Sequence, residues 1–277
     1  MGRAVVHWIG PLLTLLLASG CQSLLRPSAT QRAESFADRS GALTVDRSEL
    51  IRSVYFVFSA DQDPEPTFTS RHESFTVDFR RENTAGFAVA IDADGYLLTA
   101  GHVAHLVNYV IGPMDGRIQI ARASIVSKQS STTSGQEYAV LHVDHVLDWP
   151  RSLAPTQTAG PLFCVGRAST AGDFQLLAGR IRGARTFRTT PSGRLLVTDV
   201  PLWYGDSGGA AFYADGSLAG INTAFWFGLR GWRTYYERYV FAPDARVVSQ
   251  LIAGDKQARA LARSAQISPA EHSTGTE

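Results

Sequence analysis

Short apolar or alternating segments, separated by turn residues, run through the middle of the chain and predict β-strands. The dipeptides Asp94-Gly95, Ser192-Gly193 and Asp215-Gly216 are typical of hairpin turns between such strands. The pattern predicts strands over Ser53–Ser59, Ser74–Phe79, Phe87–Ile91, Arg117–Val126, Tyr138–Val143, Leu162–Val165, Leu195–Val200, Ala210–Tyr213 and Leu218–Asn222. A helix is expected only near the end, over Asp244–Ile252, directly after Pro243. We therefore expect one all-β domain over residues 51–254.

The two ends of the chain differ from this domain. Residues 1–20 contain Arg3, an apolar run to Leu17 and three small residues before Cys21, which is the form of a secretory signal. The run is short for a membrane span, which needs roughly 20 apolar residues. Residues 21–50 are polar and lack periodicity, which predicts a flexible tether. Residues 255–277 begin with an Ala/Arg stretch compatible with a helix and are expected to form a polar tail.

The segment Ala18-Ser19-Gly20-Cys21 resembles a bacterial lipobox. That resemblance implies cleavage before Cys21 and acylation of its thiol, although Ala18 stands where the lipobox usually has leucine. A plain signal peptide or an uncleaved anchor is the alternative interpretation of the same segment.

Composition excludes several classes of protein. The 277 residues are 44% hydrophobic and carry a net charge of +1, which suits a packed core and argues against nucleic-acid binding. With Cys21 acylated, Cys164 is left alone in an apolar run, where a small core residue is expected. The histidine pairs His102/His105 and His142/His145 lack a completing cysteine or carboxylate set, so we predict no metal site and no cofactor.

Three separated motifs carry candidate chemistry. A predicted strand ends in Thr99-Ala100-Gly101 and presents His102, the side-chain type that titrates near neutrality. The glycine-rich segment Gly205–Gly209 suits a tight turn that exposes Ser207 and converges backbone N–H groups. Glu137 opens a third strand, where an acid can fix the tautomer of a histidine. Taken singly, His102 also fits an ordinary strand-end histidine, Gly205–Gly209 a glycine-rich hairpin loop, and Glu137 a solvated carboxylate.

The order of these residues separates two kinds of serine hydrolase. Gly205-x-Ser207-x-Gly209 satisfies the nucleophile-elbow pattern of α/β-hydrolases, but that fold requires an acid and then a histidine after the serine. Here the only later histidine is His272, in the polar tail, and alternating strand–helix patterning is missing. We therefore reject the α/β-hydrolase interpretation.

From about Val54 to Ile252 the sequence resembles the trypsin-like, chymotrypsin-fold serine peptidases, in particular their bacterial HtrA/Deg branch. The likeness rests on Ala85–Val89 and Asp94–Thr99 before His102, on Leu177–Ile181, on Gly205–Gly209 followed by Gly220–Ala224, and on Val240–Pro243. The resemblance implies two six-stranded antiparallel β-barrels with a C-terminal helix. Arg167 and Ala168 replace the asparagine and proline that this family usually has after a strand like Phe163–Gly166.

The resemblance also implies roles for individual residues. His102 matches the general base, Ser207 the nucleophile, and Gly205 with Ser207 the oxyanion N–H donors. Glu137 stands where the family has aspartate, a departure of one methylene that weakens the match at the acid. The substrate pocket is implied around Pro201, Asn222, Thr223 and Ala224, where no carboxylate favours a Lys or Arg side chain.

Beyond Ile252, 25 residues are too few for the PDZ module usual in this branch, so we expect a protease domain without PDZ. By resemblance to lipoprotein sorting signals, Gln22 after Cys21 implies the periplasmic face of an outer membrane. The expected partners are protein or peptide substrates and the membrane, which the chain would bind through the lipid on Cys21. The leading hypothesis is an active serine endopeptidase of exported proteins. The alternatives are a membrane-tethered pseudoprotease that binds peptides, favoured by Glu137, and a structural envelope lipoprotein.

Overall fold

The computed structural model describes residues 42–60, 68–71, 74–77, 84–112, 119–130, 136–167, 174–185, 193–230 and 233–267. Within these ranges the helices are α1 (Arg47–Arg52) and α2 (Ala245–Ile267). The strands are β1 (Val54–Ala60), β2 (Phe68–Arg71), β3 (Ser74–Val77), β4 (Thr84–Asp92), β5 (Tyr96–Thr99), β6 (Val107–Gly112), β7 (Gln119–Ser130), β8 (Glu137–His142), β9 (Gly160–Arg167), β10 (Phe174–Arg185), β11 (Gly193–Thr198), β12 (Ala210–Phe212), β13 (Leu218–Arg230) and β14 (Arg233–Pro243).

Twelve of these strands form two closed, six-stranded antiparallel barrels. The first barrel has the order β1-β4-β5-β8-β7-β6, and the second has the order β10-β11-β14-β13-β12-β9. Strands β2 and β3 pair with each other as a separate hairpin. The expected chymotrypsin-like fold, with a C-terminal helix, is confirmed. Closure leaves neither barrel with an unpaired edge strand, so each is a stable scaffold for loops at its ends.

The barrels pack directly on each other. Tyr138 of β8 stacks on Phe241 of β14, with ring centroids 5.5 Å apart and planes 7° from parallel. Between the same two barrels, the Phe87 N–H donates to the Ser207 carbonyl at 2.8 Å. These contacts fix the end of the first barrel that carries Glu137 against the loop of the second barrel that carries Ser207.

The predicted tether over residues 21–50 extends too far. Leu43 and Val45 pack on the hydrophobic core, Leu50 is fully buried, and the Thr44 N–H donates to the Ala214 carbonyl at 2.9 Å. Asp46 caps α1 by accepting a hydrogen bond from the Ser48 N–H. Leu43 and Val45 before α1 and Leu50 within it all pack on the core, so the folded domain begins before position 50.

The C-terminal helix is longer than predicted. It begins at Ala245, close to the expected start, but continues past Ile252 to Ile267, so it takes up the first half of the predicted polar tail over residues 255–277. Alanine, glutamine and arginine favour helix there, and Lys256 ties the helix to the first barrel through Asp92 and Asp94 at 3.0 and 2.7 Å. Neither α1 nor α2 has the length and apolar character needed to span a membrane.

Candidate active site

His102 lies just after β5, at the end of the first barrel. The chain turns over Ala100 and Gly101, where the Val103 N–H donates to the Ala100 carbonyl at 3.0 Å. The turn carries the imidazole off the strand, so the His102 side chain is 42% exposed and faces a cleft. An exposed imidazole is free to exchange protons with a bound molecule.

Glu137 reaches His102 in spite of its extra methylene. Its Oε1 lies 2.9 Å from His102 Nδ1 and also accepts the His102 backbone N–H at 2.6 Å. This carboxylate contact assigns the ring proton to Nδ1 and leaves Nε2 as the basic nitrogen. One carboxylate oxygen therefore orients both the backbone and the ring of the histidine.

The surroundings of Glu137 favour its charged form. Burial acts to raise the pKa of Glu137, but hydrogen bonds from the side chain and backbone of His102, the His102 charge and a hydrogen bond from Ser130 outweigh it and lower the pKa. The side chain is 17% exposed, so the carboxylate is shielded from water on most sides. A negative charge held in this position stabilises an imidazolium that forms next to it.

Ser207 lies in the loop between β11 and β12 of the second barrel, and hydrogen bonds hold the backbone at this residue and the next. Its carbonyl accepts the Phe87 N–H of the first barrel, and the next residue, Gly208, donates to the Asn222 carbonyl at 2.7 Å. Gly205 has φ +88° and Gly208 has φ +78°, values that other residues rarely adopt. The glycines therefore allow the tight loop that presents the serine to the cleft.

The N–H groups of Gly205 and Ser207 are available as donors. Among the described residues, neither group takes part in a hydrogen bond, although Asp206 between them donates to the Trp203 carbonyl at 3.1 Å. Two free N–H groups beside a serine hydroxyl suit the oxygen of a tetrahedral intermediate. Both predicted oxyanion donors therefore lie on the same loop as the Ser207 hydroxyl.

Asp206 and Asn222 anchor this loop from beneath. Asp206 is 1% exposed, and its Oδ2 accepts the Trp203 N–H at 2.7 Å. Asn222 Nδ2 donates to the carbonyls of Val165 and Asp206, at 2.9 and 3.2 Å. Sequence reasoning gave Asp206 no role, although an acid between Gly205 and Ser207 is the signal that marks it.

The site residues share one cleft of about 470 Å³. It is lined by His102, Ser130, Glu137, Leu202, Trp203, Tyr204, Asp206, Ser207, Asn222 and Thr223. Asn222 and Thr223, two of the four residues predicted around a substrate pocket, thus line the same cleft as His102 and Ser207. Pro201 is not among the lining residues, and Ala224 belongs to β13 but its side chain lies outside the described part of the structure.

The remaining sequence predictions fall away from this cleft. Cys21, the predicted lipidation site, lies outside the described residues. Cys164 is fully buried, and burial together with nearby Asp206 raises the pKa of its thiol well above the usual range. His105 turns its Nε2 toward Thr84 Oγ1 at 3.0 Å and the His102 carbonyl at 3.1 Å. These contacts engage the Nε2 atom of His105 within the protein.

Residues 85–221 match the family model of the trypsin-like peptidase domain. No curated protein matches the chain. Among solved structures, the HtrA-type protease AlgW with decapeptide is 20% identical, with a TM-score of 0.51, and the match covers 76% of this chain and 67% of that one.

Two further structures share the fold. The Rv3671c protease from M. tuberculosis, in its active form, is 20% identical with a TM-score of 0.51, over 74% of this chain and 82% of that one. The serine endoprotease from Yersinia pestis is 23% identical with a TM-score of 0.50, over 76% of this chain and 68% of that one. The chain is thus similar in sequence, over residues 85–221, to the trypsin-like peptidase domain, and it shares the two-barrel fold of these solved proteases.

Proposed function

We propose that this chain is a serine endopeptidase. Ser207 Oγ attacks the carbonyl carbon of a peptide bond while His102 Nε2 takes the hydroxyl proton. The resulting oxyanion accepts hydrogen bonds from the N–H groups of Gly205 and Ser207. The contact that carries the proposal is the 2.9 Å approach of Glu137 Oε1 to His102 Nδ1, because it supplies the acid that the sequence left in doubt.

The second half of the reaction uses the same groups. The tetrahedral intermediate collapses to an ester on Ser207 as the amine leaves with the proton from His102. Water then attacks the ester, His102 accepts a water proton, and Ser207 leaves with that proton restored to its oxygen. Glu137 stays ionised throughout and stabilises the imidazolium in both halves.

The cleft supports a peptide with a small or apolar side chain before the cleaved bond. Its walls include Leu202, Trp203 and Thr223. The two carboxylates of the cleft, Glu137 and Asp206, both have hydrogen-bond partners within the protein. A cationic side chain would therefore find no free acid to pair with. The structural neighbour AlgW holds a decapeptide, and we propose peptides of exported proteins as substrates of this chain.

We also propose that the protease is lipid-anchored in a bacterial envelope, at the periplasmic face of the outer membrane. The proposal rests on the signal-like segment and on Cys21. Intact-mass analysis of the expressed chain tests it: an acylated N-terminus at Cys21 is expected, and Cys21→Ser abolishes the added mass. An unmodified N-terminus or a cut at another position contradicts the anchor without affecting the protease assignment.

A fluorophosphonate probe tests the activity directly, because it forms a covalent bond only with an activated serine. We expect the full chain in detergent to gain the mass of one probe, Ser207→Ala to gain none, and Glu137→Ala to label much more slowly. Ser264→Ala, which removes an exposed serine hydroxyl from α2, is the matched control and should label normally. A folded wild-type chain that does not label contradicts the proposal and favours the peptide-binding pseudoprotease.

A further inference from the structure

Glu137 has a second partner besides His102. Its Oε2 accepts a hydrogen bond from the Ser130 hydroxyl at 3.1 Å, and the same hydroxyl lies 3.4 Å from Oε1. Both oxygens of the carboxylate are therefore engaged, one by the histidine and one by the serine. Sequence reasoning did not identify Ser130.

Strand pairing brings Ser130 to this position. Ser130 is the last residue of β7 and lies directly opposite Glu137, the first residue of β8. Side chains of directly opposed residues project from the same face of an antiparallel pair, with Cβ atoms about 5 Å apart. The pairing thus places the Ser130 hydroxyl beside the Glu137 carboxylate.

Gly101 provides the space for this arrangement. A Cβ atom at Gly101 would lie 2.1 Å from the Gln129 carbonyl oxygen and 3.1 Å from Glu137 Oε1. Any larger residue at position 101 would push β7 away from the His102 turn. Because Gln129 directly precedes Ser130, that shift would also remove the hydroxyl from the carboxylate.

We propose that Ser130 is a positioning residue for the reaction proposed above, on which this inference rests. Its hydroxyl holds Oε2 of the longer acid so that Oε1 stays on His102, and Gly101 gives both groups the space to meet. A glutamate has one more rotatable bond than an aspartate, so an unheld carboxylate would sample positions away from the histidine. Ser130, Gly101 and Glu137 therefore form one matched acid site.

Rates of fluorophosphonate labelling of the full chain test the first part of this inference. Ser130→Ala should label roughly 3- to 10-fold more slowly, the effect of one hydrogen bond to a partly exposed carboxylate. Ser130→Thr keeps a hydroxyl and should restore most of the rate. In a Glu137→Ala background, Ser130→Ala should cause no further loss, because the two residues act through one contact. Ser127→Ala, in the same strand but outside the cleft, is the matched control and should label normally.

A second readout does not depend on activity. In a Ser207→Ala chain, the NMR signal of the His102 Nδ1 proton reports its hydrogen bond to Glu137. We expect Ser130→Ala to broaden this signal or move it upfield, and Ser130→Thr to retain it.

Two results would overturn the inference: an unchanged rate and signal in Ser130→Ala, or an equal loss of rate with and without Glu137. If the wild-type chain does not label at all, the proposed function fails. The NMR comparison then decides alone: a change in Ser130→Ala that Ser130→Thr reverses supports Ser130 as the positioning residue of Glu137, and an unchanged signal refutes it.

Discussion

Because Gly208 lies very close to the first barrel, adding a single methyl group at this position should destabilise the protein strongly. Gly208 has φ +78°, and a Cβ atom there would lie 1.9 Å from the Phe87 carbonyl oxygen and 2.5 Å from Thr99 Oγ1. Alanine in this conformation costs about 1–2 kcal/mol. Displacing the neighbouring backbone adds about 1–3 kcal/mol. Gly208→Ala should therefore lower the free energy of unfolding by about 2–5 kcal/mol.

Thermal unfolding followed by circular dichroism measures this loss. For a domain of this size, each kcal/mol moves Tm by about 2–4 °C, so Gly208→Ala should unfold roughly 4–20 °C below wild type. Labelling by the fluorophosphonate should fall by about 100-fold, since a shift of about 1 Å in the serine loop misplaces the nucleophile.

Gly254→Ala is the matched control, because Gly254 lies inside α2 with nothing within 4 Å of its Cβ position. It should raise stability by about 0.5–1 kcal/mol. A Gly208→Ala protein that melts within about 2 °C of wild type, a shift worth less than about 1 kcal/mol, would refute the close-approach argument.

Three further outcomes follow from the site and its surroundings. Glu137→Gln keeps an oxygen that can accept a hydrogen bond from His102 but removes the negative charge. The attraction between that charge and the His102 imidazolium is worth about 1–4 kcal/mol at a partly exposed site, so labelling by the fluorophosphonate should slow by about 5- to 1,000-fold. A wild-type labelling rate would exclude Glu137 as the acid. The lowered pKa of Glu137 means that its contribution to stability is complete above the ordinary carboxyl range and is lost as pH falls through the lowered value. In urea unfolding, the gap between wild type and Glu137→Gln should therefore narrow from pH 7 to pH 3, and a constant gap contradicts that linkage. Buried Cys164 should not react with a disulfide reagent at pH 8 until urea unfolds the chain; rapid reaction of the native protein would contradict its burial.

Local sequence signals were sufficient for the scaffold. The hairpin dipeptides Asp94-Gly95 and Asp215-Gly216 lie between strands that pair as antiparallel neighbours, β4 with β5 and β12 with β13. Those signals depend only on adjacent residues, so they can be seen without the fold. Longer elements were underestimated: β13 continues past Asn222 to Arg230, and α2 continues to Ile267. The extra length of β13 depends on its pairing with β14. That of α2 depends on Asp92 and Tyr96 of the first barrel, which bind Lys256 and Asp255.

The candidate site was only partly predictable for a related reason. His102 and Ser207 lie in motifs whose glycines and small residues are visible in the sequence. The contact of Glu137 with His102 depends on how far the start of β8 lies from the turn after β5, which no local pattern reports. Ser130 was missed because its role requires the register of β7 on β8. Asp206 was missed because its burial depends on how its loop packs on Gly166 of β9 and Asn222 of β13.

The division of the site between two barrels has a consequence for the chain while it is being synthesised. The imidazole–carboxylate pair belongs to the N-terminal barrel, whereas the nucleophile arrives with residues made much later. Until the Phe87 N–H meets the Ser207 carbonyl, a nascent chain holds a base with nothing to activate. The candidate site is therefore complete only once both barrels have folded and packed together, and it is lost if they separate.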